Sequence, residues 1–297
     1  MDKPKIIVVC GPTATGKSDL AVSIAKEVGG EIISADSRQI YKDLNIGSGK
    51  ITKKEMRGVP HYMLDIVSAK STFTVAQFKK KGEKIIQDIL KRGKVPIIAG
   101  GTGFYIDALV YGITYPEVKP NKELRKELEE KSLEELQVIL KKKDKKRYDV
   151  IDLDNKVRLV RAIEIIDVLG KVPEPIREEK YNPIFIGLDY SDEILKKRIH
   201  DRLLKRMRNG MKKEVEDLHN SGVSWKRLES LGLEYRYLAL FLQNKIPKEE
   251  MISELENKIW QFAKRQRTWF KRNKHIYWYD LSEMHTIQKR VNIFLKK

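Results

Sequence analysis

Gly11-Pro12-Thr13-Ala14-Thr15-Gly16-Lys17-Ser18 is the stretch on which the fold of this chain depends. It matches the phosphate-binding pattern G-x-x-x-x-G-K-[ST], whose backbone amides surround a phosphate group. The apolar run Ile6-Ile7-Val8-Val9-Cys10 before it is typical of a buried parallel strand. After it, Leu20, Ile24 and Val28 recur at helical spacing. A loop between such a strand and such a helix predicts an anion site at the helix N-terminus.

Each residue type in this phosphate loop has a physical role in the prediction. Gly11 and Gly16 let the backbone curl so that its N–H groups face one centre. We expect Lys17 to bind the outer phosphate and the hydroxyl of Ser18 to bind Mg²⁺. The alternative is a glycine-rich turn without a ligand, but the strand and helix on either side argue against it.

The composition of the 297-residue chain narrows the classes of protein to which it can belong. At 41% hydrophobic residues, the chain can form one large domain, or one domain with an insertion. No apolar run approaches the length that crosses a membrane, and Met1-Asp2-Lys3-Pro4 does not resemble a signal peptide. The single cysteine, Cys10, excludes an internal disulfide and favours a cytoplasmic enzyme.

The charge of the chain is strongly positive. The formal net charge is +18 and the isoelectric point is about 9.6. Such an excess favours a polyanionic partner, most simply a nucleic acid. The alternative is a lysine-rich surface without such a partner, because many lysines are interleaved with glutamates.

Two further predicted strands end in polar or glycine-rich loops. Glu31-Ile32-Ile33-Ser34-Ala35 leads into Asp36-Ser37-Arg38-Gln39-Ile40-Tyr41, and Lys94-Val95-Pro96-Ile97-Ile98-Ala99 is closed by Gly100-Gly101-Thr102-Gly103. Strands that alternate with helices, as over residues 73–92, indicate a parallel sheet with right-handed crossovers. Ligands bind beyond the carboxyl ends of such strands, so we expect these loops and the phosphate loop to share one site.

The middle of the chain lacks strand patterns. Residues 121–130 and 133–143 have the pattern of charged helices, and the strand pattern returns only at Ile184-Phe185-Ile186-Gly187-Leu188. We therefore predict an α/β fold, a P-loop parallel sheet with flanking helices, over residues 1–115 and 183–297. Residues 116–182 form a helical insertion domain in this prediction. The C-terminal region is predicted to be helical, with a long helix that Pro247 opens.

The predicted site differs from that of an ordinary ATPase. Such an enzyme needs an Asp at the end of a buried strand for its metal, whereas the strand that ends at Ala99 is followed by Gly-Gly-Thr. Asp36 is the nearest candidate, and its carboxylate can serve a metal or act as a general base. It can also cap a helix that starts at Ser37. Thr102 either approaches the ligand or is only a turn residue.

The ordered set of motifs resembles that of the tRNA dimethylallyltransferases, also called tRNA isopentenyltransferases. The resemblance covers nearly the whole chain and rests on the phosphate loop, the run from Asp36 to Tyr41, Gly100-Gly101-Thr102 and two later motifs. The later motifs are Val157-Arg158-Leu159-Val160-Arg161-Ala162 and Lys264-Arg265-Gln266-Arg267-Thr268-Trp269. One stretch departs from the family pattern: many members have Gly-Tyr-Arg or Gly-Tyr-Lys, whereas this chain has Gly232-Leu233-Glu234-Tyr235-Arg236.

The resemblance implies a reaction. A dimethylallyl group would move from dimethylallyl diphosphate to N6 of the adenosine on the 3′ side of the tRNA anticodon. The phosphate loop would hold the diphosphate, with Arg202 as a further contact and Mg²⁺ at Ser18. Asp36 would be the general base, and Thr102 would position the same site. The enzyme would act as a monomer.

The resemblance also implies the contacts with the anticodon stem-loop of tRNA, including recognition by the insertion. They would be made by Asp36, Ser37, Arg38, Gln39, Thr102, Arg125, Val157, Arg158, Leu159, Val160, Arg161, Arg236, Lys264, Arg265, Gln266, Arg267, Thr268, Trp269 and Phe270. Three other classes of function remain open on the residues alone. They are a nucleotide kinase or ATPase, a prenyltransferase acting on free adenine nucleotides, and a non-enzymatic RNA-binding protein.

Overall fold

A single six-stranded sheet forms the centre of the larger part of the molecule. The computed structural model describes residues 3–296. The strands are β1 (Lys5–Cys10), β2 (Gly30–Ser34), β3 (His61–Tyr62), β4 (Val95–Ala99), β5 (Asn182–Leu188) and β6 (Ile276–Tyr279). All pairs are parallel, in the order β3-β2-β4-β1-β5-β6.

Helices connect the strands and make up most of the remaining chain. Before β5 they are α1 (Lys17–Val28), α2 (Lys53–Met56), α3 (Val75–Lys91), α4 (Gly103–Val110), α5 (Lys122–Glu130), α6 (Leu133–Lys143), α7 (Lys145–Tyr148) and α8 (Lys156–Leu169). After β5 they are α9 (Asp192–Arg208), α10 (Met211–Asn220), α11 (Trp225–Ser230), α12 (Leu233–Leu242), α13 (Lys248–Lys271) and α14 (Met284–Lys296). A short 3₁₀ helix, Leu281–Glu283, precedes α14. Among the described residues, no helix is both long and apolar enough to cross a membrane.

The predicted fold class is confirmed, and the sheet order explains the position of the site. β4 lies between β1 and β2, with Val9 paired to Ala99 and Ser34 paired to the same residue. The carboxyl ends of these three strands therefore meet at one edge. The three loops that follow them are neighbours in space, although up to 90 residues of sequence separate them.

The two faces of the sheet are covered by different helices. Alternate residues of β1 point to opposite sides, so Val8 lies in a large cluster with residues of α3, α4 and α9–α13, while Val9 lies in a smaller cluster with α1 and α14. Both clusters contain fully buried aliphatic side chains. This burial fixes the strands and thereby the loops at their ends.

Residues Ile113–Glu178 form a second compact unit, separate from the unit that holds the sheet. Its helices α5, α6 and α8 share a core of leucines and isoleucines that includes Leu136, Leu140 and Leu159. A capping box formed by Ser132 and Glu135 is present at the start of α6. In the unit that holds the sheet, β5 begins at Asn182, which pairs with Lys5, two residues before the predicted start of the strand at Ile184.

Several elements of the larger unit were not predicted from the sequence. The glycine-rich turn after β4 continues directly into α4, which begins at Gly103. The two-residue strand β3 and the helix α14 also lacked a clear pattern. The first of these matters for function, because Thr102 is the N-cap residue of α4 and not merely part of a turn.

Candidate active site

The phosphate loop is tightly curled against the end of β5. Gly11 has a φ of +133°, and a Cβ atom there would lie 2.2 Å from the carbonyl oxygen of Leu188, so only glycine fits. The Thr15 hydroxyl donates to the Pro12 carbonyl at 2.9 Å. The Lys17 ammonium also donates to the Pro12 carbonyl, so it lies folded over its own loop.

Helix α9 brings two arginines to this loop. Arg202 Nη2 donates to the Thr13 hydroxyl. One turn earlier, Arg198 Nε donates to the Ala14 carbonyl at 2.7 Å. Arg202 was expected from the resemblance, whereas Arg198 was not, although its i, i+4 spacing from Arg202 was a usable signal.

The cations at the loop lie in an environment that disfavours their charge. Burial, followed by repulsion from Arg202, lowers the pKa of Lys17 to about 8. Burial, followed by repulsion from Arg206, lowers the pKa of Arg202 to about 9. Asp36 opposes both pKa shifts electrostatically, so its carboxylate lies near both cations. Such a cluster is suited to a multiply charged anion, because an anion relieves the mutual repulsion.

The Asp36 carboxylate is held at the start of a turn. Its Oδ1 accepts hydrogen bonds from the backbone N–H of Arg38 at 2.8 Å and of Gln39 at 3.4 Å. Residues 37–40 form a turn and not a helix, so the alternative role considered for Asp36, a helix cap, is replaced by the cap of a turn. Among the described residues, Oδ2 accepts no hydrogen bond, which leaves this oxygen for a substrate proton.

Thr102 ties the Asp36 turn to the loop after β4. Its Oγ1 accepts from the Ser37 N–H at 3.1 Å, and its own N–H donates to the Ala35 carbonyl at 3.1 Å. The Thr102 hydroxyl also donates to Ser37 Oγ at 3.4 Å. The two residues predicted to be catalytic, Asp36 and Thr102, are therefore on adjoining loops joined by hydrogen bonds.

Gln266 of α13 joins the phosphate loop to the loop after β4. Its Oε1 accepts from the Thr13 N–H at 2.8 Å, and its Nε2 donates to the Gly101 carbonyl at 2.8 Å. Only 7% of the residue is exposed. The expectation that Gln266 contacts tRNA is thus replaced by a role in fixing the distance between two loops of the site.

The other residues of the predicted tRNA stretch on α13 divide by helical phase. Lys264, Arg265 and Thr268 are exposed. In contrast, Phe270 is buried, and the Arg267 guanidinium lies 2.8 Å from Asp189 and 2.5 Å from Asp192. Trp269 Nε1 donates to Asp107 Oδ2 at 3.1 Å. The sequence motif therefore combines solvent-facing cations with residues that hold the helix in place.

The insertion shows a similar division. Leu159 and Val160 are buried in its core, so their side chains are not available to RNA, contrary to the expectation. Arg125 binds the buried Glu164 carboxylate with two hydrogen bonds of 2.9 Å, and Arg161 binds the same carboxylate. Burial alone would raise the pKa of Glu164, but these hydrogen bonds lower it to about 2. Val157 and Arg158 remain exposed on the outer face of α8.

The remaining predicted contacts lie around the Asp36 turn and on α12. Ser37, Arg38 and Gln39 are partly exposed, and Gln39 also donates to the Gly49 carbonyl at 3.2 Å. Arg236 is exposed and donates to the Glu229 carbonyl at 2.9 Å.

The residues at the start of α1 offer few protein ligands to the predicted Mg²⁺ ion. Ser18 is exposed beside the cations of the phosphate loop. Among the described residues, no group of three His, Cys, Asp or Glu side chains is arranged to hold a metal ion by itself. This donor set is compatible with Mg²⁺ that keeps most of its water and binds mainly through phosphate oxygens, and Ser18 stays the predicted protein ligand.

The fold and the site together define a P-loop α/β protein whose anion site adjoins a carboxylate two strands away in the sheet. The model of the family described as IPP transferase matches residues 39–273 of this chain. The chain belongs to that family, which confirms the resemblance found in the sequence.

Individual relatives cover almost the whole chain. tRNA dimethylallyltransferase 2 of Treponema denticola is 47% identical over 277 residues, which are 91% of this chain and 93% of the relative. The tRNA dimethylallyltransferase of Staphylococcus carnosus is 37% identical over 295 residues, with 95% and 93% covered.

Solved structures agree with this assignment. The full-length tRNA isopentenylpyrophosphate transferase of Bacillus halodurans superposes with a TM-score of 0.76 and 31% identity, over 99% of this chain and 97% of that one. A eukaryotic dimethylallyltransferase, whose crystallographic snapshots show it acting on tRNA, has a TM-score of 0.84 and 25% identity. It is covered to 80%, and this chain to 99%.

Proposed function

We propose that this chain transfers a dimethylallyl group from dimethylallyl diphosphate to N6 of the adenosine on the 3′ side of the anticodon in tRNA. A bond forms between N6 and C1 of the allyl group, the bond between C1 and the diphosphate oxygen breaks, and diphosphate leaves. The proton that N6 loses goes to a base. The observation that carries the proposal is the Asp36 carboxylate, with an uncommitted Oδ2, beside the cations of the phosphate loop.

The phosphate loop, Lys17 and Arg202 bind the diphosphate in this proposal. Negative charge grows on the diphosphate as the bond to C1 breaks, and fixed cations stabilise that charge. The lowered pKa values of Lys17 and Arg202 support this role, since both cations gain from an arriving anion. Mg²⁺, when bound at Ser18, supplies further neutralisation of the leaving group.

Asp36 and Thr102 serve the acceptor. The N6 amine is a weak nucleophile because its lone pair is delocalised into the ring, so proton removal must accompany attack. A base stacked in the anticodon loop cannot reach a pocket, so the adenosine is flipped out between Asp36 and Thr102. The hydrogen bonds that join Ser37 and Thr102 support this pairing, because they keep both sides of the pocket together.

The tRNA contacts are assigned to exposed side chains of the predicted set. They are Arg38, Val157, Arg158, Arg236, Lys264, Arg265 and Thr268. The net charge of +18 supports a polyanionic acceptor of this kind. We further propose that the enzyme acts as a monomer in the cytoplasm.

One assay tests the proposed function. Radiolabelled dimethylallyl diphosphate is incubated with the protein and Mg²⁺ in three parallel reactions that contain tRNA, AMP or no acceptor. We expect label in tRNA at a single adenosine and none in AMP. Label in AMP alone would identify a prenyltransferase for free nucleotides. Release of diphosphate at the same rate in all three reactions would identify a hydrolase and contradict the proposal.

A further inference from the structure

The stretch Gly232-Leu233-Glu234-Tyr235-Arg236, which departs from the family pattern, lies beside the Asp36 turn. Tyr235 is only 1% exposed, so its side chain cannot contact a nucleic acid. Its hydroxyl donates to Glu214 Oε1 at 2.8 Å and accepts from the Ser48 N–H at 3.1 Å. Gly232 lies next to Arg38, whose Cδ would be 3.7 Å from a Cβ atom on that glycine.

Glu214 of α10 holds three consecutive backbone amides of the loop formed by residues 45–49. Its Oε2 accepts from the N–H groups of Asn45 at 2.9 Å and Ile46 at 2.6 Å, and its Oε1 accepts from Gly47 at 2.9 Å. With the Tyr235 hydroxyl, four donors converge on one carboxylate. Hydrogen bonds to a charged acceptor are stronger than those between neutral groups, so this loop is firmly held.

Arg206 of α9 holds the same loop from its other side. Its Nη1 donates to the Gly47 carbonyl at 3.3 Å and to Glu234 Oε1 at 3.2 Å. The guanidinium packs so closely on Gly49 that a Cβ atom there would be 1.7 Å from Nη2. Glu234 therefore fixes the arginine that fits against Gly49.

Hydrogen bonds lead from this loop to the general base. Gln39 Nε2 donates to the Gly49 carbonyl at 3.2 Å, and Gln39 Oε1 accepts from the Ser34 hydroxyl at 3.1 Å. The Gln39 N–H donates to Asp36 Oδ1 at 3.4 Å. Loop 45–49 and the Asp36 turn are thus connected through one side chain.

We propose that Glu214, Tyr235, Arg206 and Glu234 are positioning residues that hold loop 45–49 against the Asp36 turn and thereby orient the carboxylate toward the acceptor adenosine. The inference rests on the proposed function and assigns a role to the departing stretch. Orientation matters because a displacement of about 1 Å at a reacting group can cost about a hundredfold in rate. Arg206 and Glu234 act electrostatically on the diphosphate cation Arg202, whereas Glu214 and Tyr235 are not among the groups that shift its pKa. Changes at Glu214 and Tyr235 are therefore expected to leave diphosphate binding almost unchanged.

The test uses two conservative variants and one matched control. Tyr235→Phe removes a single hydroxyl, and Glu214→Gln removes the charge that holds the three amides. Glu216→Gln is the control, because Glu216 is on the same helix and pairs with the exposed Lys212. Each variant is assayed for kcat and KM with tRNA, for the Kd of inorganic diphosphate, and for hydrogen exchange of the amides of residues 45–48.

We expect kcat to fall about threefold in Tyr235→Phe and about tenfold or more in Glu214→Gln, as a loss of orientation predicts. Amides 45–48 should exchange faster in both, the Kd of diphosphate should stay within about twofold, and the control should match the parent. Unchanged kcat despite faster exchange would overturn the inference, as would a Kd that weakens in parallel with kcat.

The parent enzyme is measured in the same assay, so the two proposals fail in different ways. A parent that does not modify tRNA contradicts the proposed function. An active parent whose Tyr235→Phe and Glu214→Gln variants keep full kcat contradicts only the positioning role. If Glu214→Gln proves too unstable to assay, Tyr235→Phe decides, because that variant keeps the carboxylate and the three amide bonds to it.

Discussion

Two groups of arginines, each with a member predicted to bind an anion, differ in what neutralises them. On α9, Arg198 and Arg202 contact a carbonyl and a hydroxyl of the phosphate loop, and the pKa of Arg202 is lowered by burial and by Arg206. In the insertion, Arg125 and Arg161 share the buried Glu164, and the hydrogen bonds that Arg125 donates to that carboxylate raise its own pKa even though burial opposes this. The charge on α9 is thus available for a ligand, whereas the charge in the insertion is already balanced.

The difference shows that the type of residue does not determine its role. An arginine with a carboxylate partner stabilises the protein. Removing one partner destabilises the fold, because the other charge is then buried without a partner. An arginine held by neutral groups keeps its full attraction for an anion. This comparison predicts opposite consequences for mutations that look equivalent in the sequence.

The largest effect is expected for Arg202→Ala. Loss of a fixed cation at the leaving diphosphate should lower kcat/KM for prenyl transfer by about 10²–10³-fold, the usual scale for such a donor. The protein should stay folded, since Arg202 has no carboxylate partner within residues 3–296. Steady-state kinetics and a thermal melt check both points, with Lys205→Ala on the exposed side of the same helix as the control. Activity within threefold of the parent would remove Arg202 from the site.

Glu164→Ala should have the opposite profile. It leaves two arginines of the insertion without their carboxylate, and we expect a loss of about 2–4 kcal/mol in unfolding free energy of this unit. This value is in the lower part of the range for breaking a buried ion pair, because both arginines are about one-third exposed to solvent. Urea denaturation followed by circular dichroism measures the loss, while the Kd of inorganic diphosphate should not change. A variant as stable as the parent would show that the network contributes nothing.

The pH dependence of diphosphate binding tests the state of Lys17. Its pKa in the protein without ligand is lowered to about 8. The Lys17 side chain is therefore almost fully protonated below pH 7 and loses its positive charge as pH rises through 8. Binding should weaken by up to about tenfold per pH unit above 8, with uptake of a proton. Calorimetry in buffers of different ionisation enthalpy measures that proton.

Lys17→Arg is the matched control for this titration, since a guanidinium stays charged over the whole range. Its binding curve keeps the titrations of the ligand and of Arg202, which the parent shares, and lacks only that of Lys17. Parallel curves for parent and control between pH 7 and 9 would show that Lys17 does not titrate there.

The smallest effect concerns two arginines one helical half-turn apart on α13. Arg265 is exposed, whereas Arg267 pairs with Asp189 and Asp192. Arg265→Ala should weaken tRNA binding several-fold and reduce the salt slope of log K by about 0.9, the value for one phosphate contact. Arg267→Ala should leave that slope unchanged. Filter binding at several salt concentrations checks both, and equal slopes for the two variants would contradict the division.

The sequence was sufficient for the central strands of the sheet and for the loops at their carboxyl ends. The strand at residues 6–10, the phosphate loop and the glycine closure after Ala99 each have a local pattern, and parallel topology then places them together. Arg202 was found only through the family resemblance, because an arginine on a charged helix has no local mark of function.

The site residues whose exposure or partners the sequence did not predict share one cause, which is tertiary contact. Residues 264–268 are all polar or basic in sequence, yet helical phase turns Gln266 inward and Lys264 and Arg265 outward. In the insertion, Arg161 and Arg125 bind the same carboxylate, that of Glu164. In the sequence, Glu164 is three residues from Arg161 but 39 residues from Arg125. No local pattern predicts such a partner.

The most direct test of the account is single-turnover prenyl transfer by Asp36→Asn with both substrates saturating. Asparagine keeps an oxygen that can accept the two N–H groups of the turn, but it cannot take a proton from N6. The account predicts a chemical step slower by about a hundredfold or more, with tRNA and diphosphate bound as in the parent. A chemical step within a few-fold of the parent would show that Asp36 is only the cap of its turn.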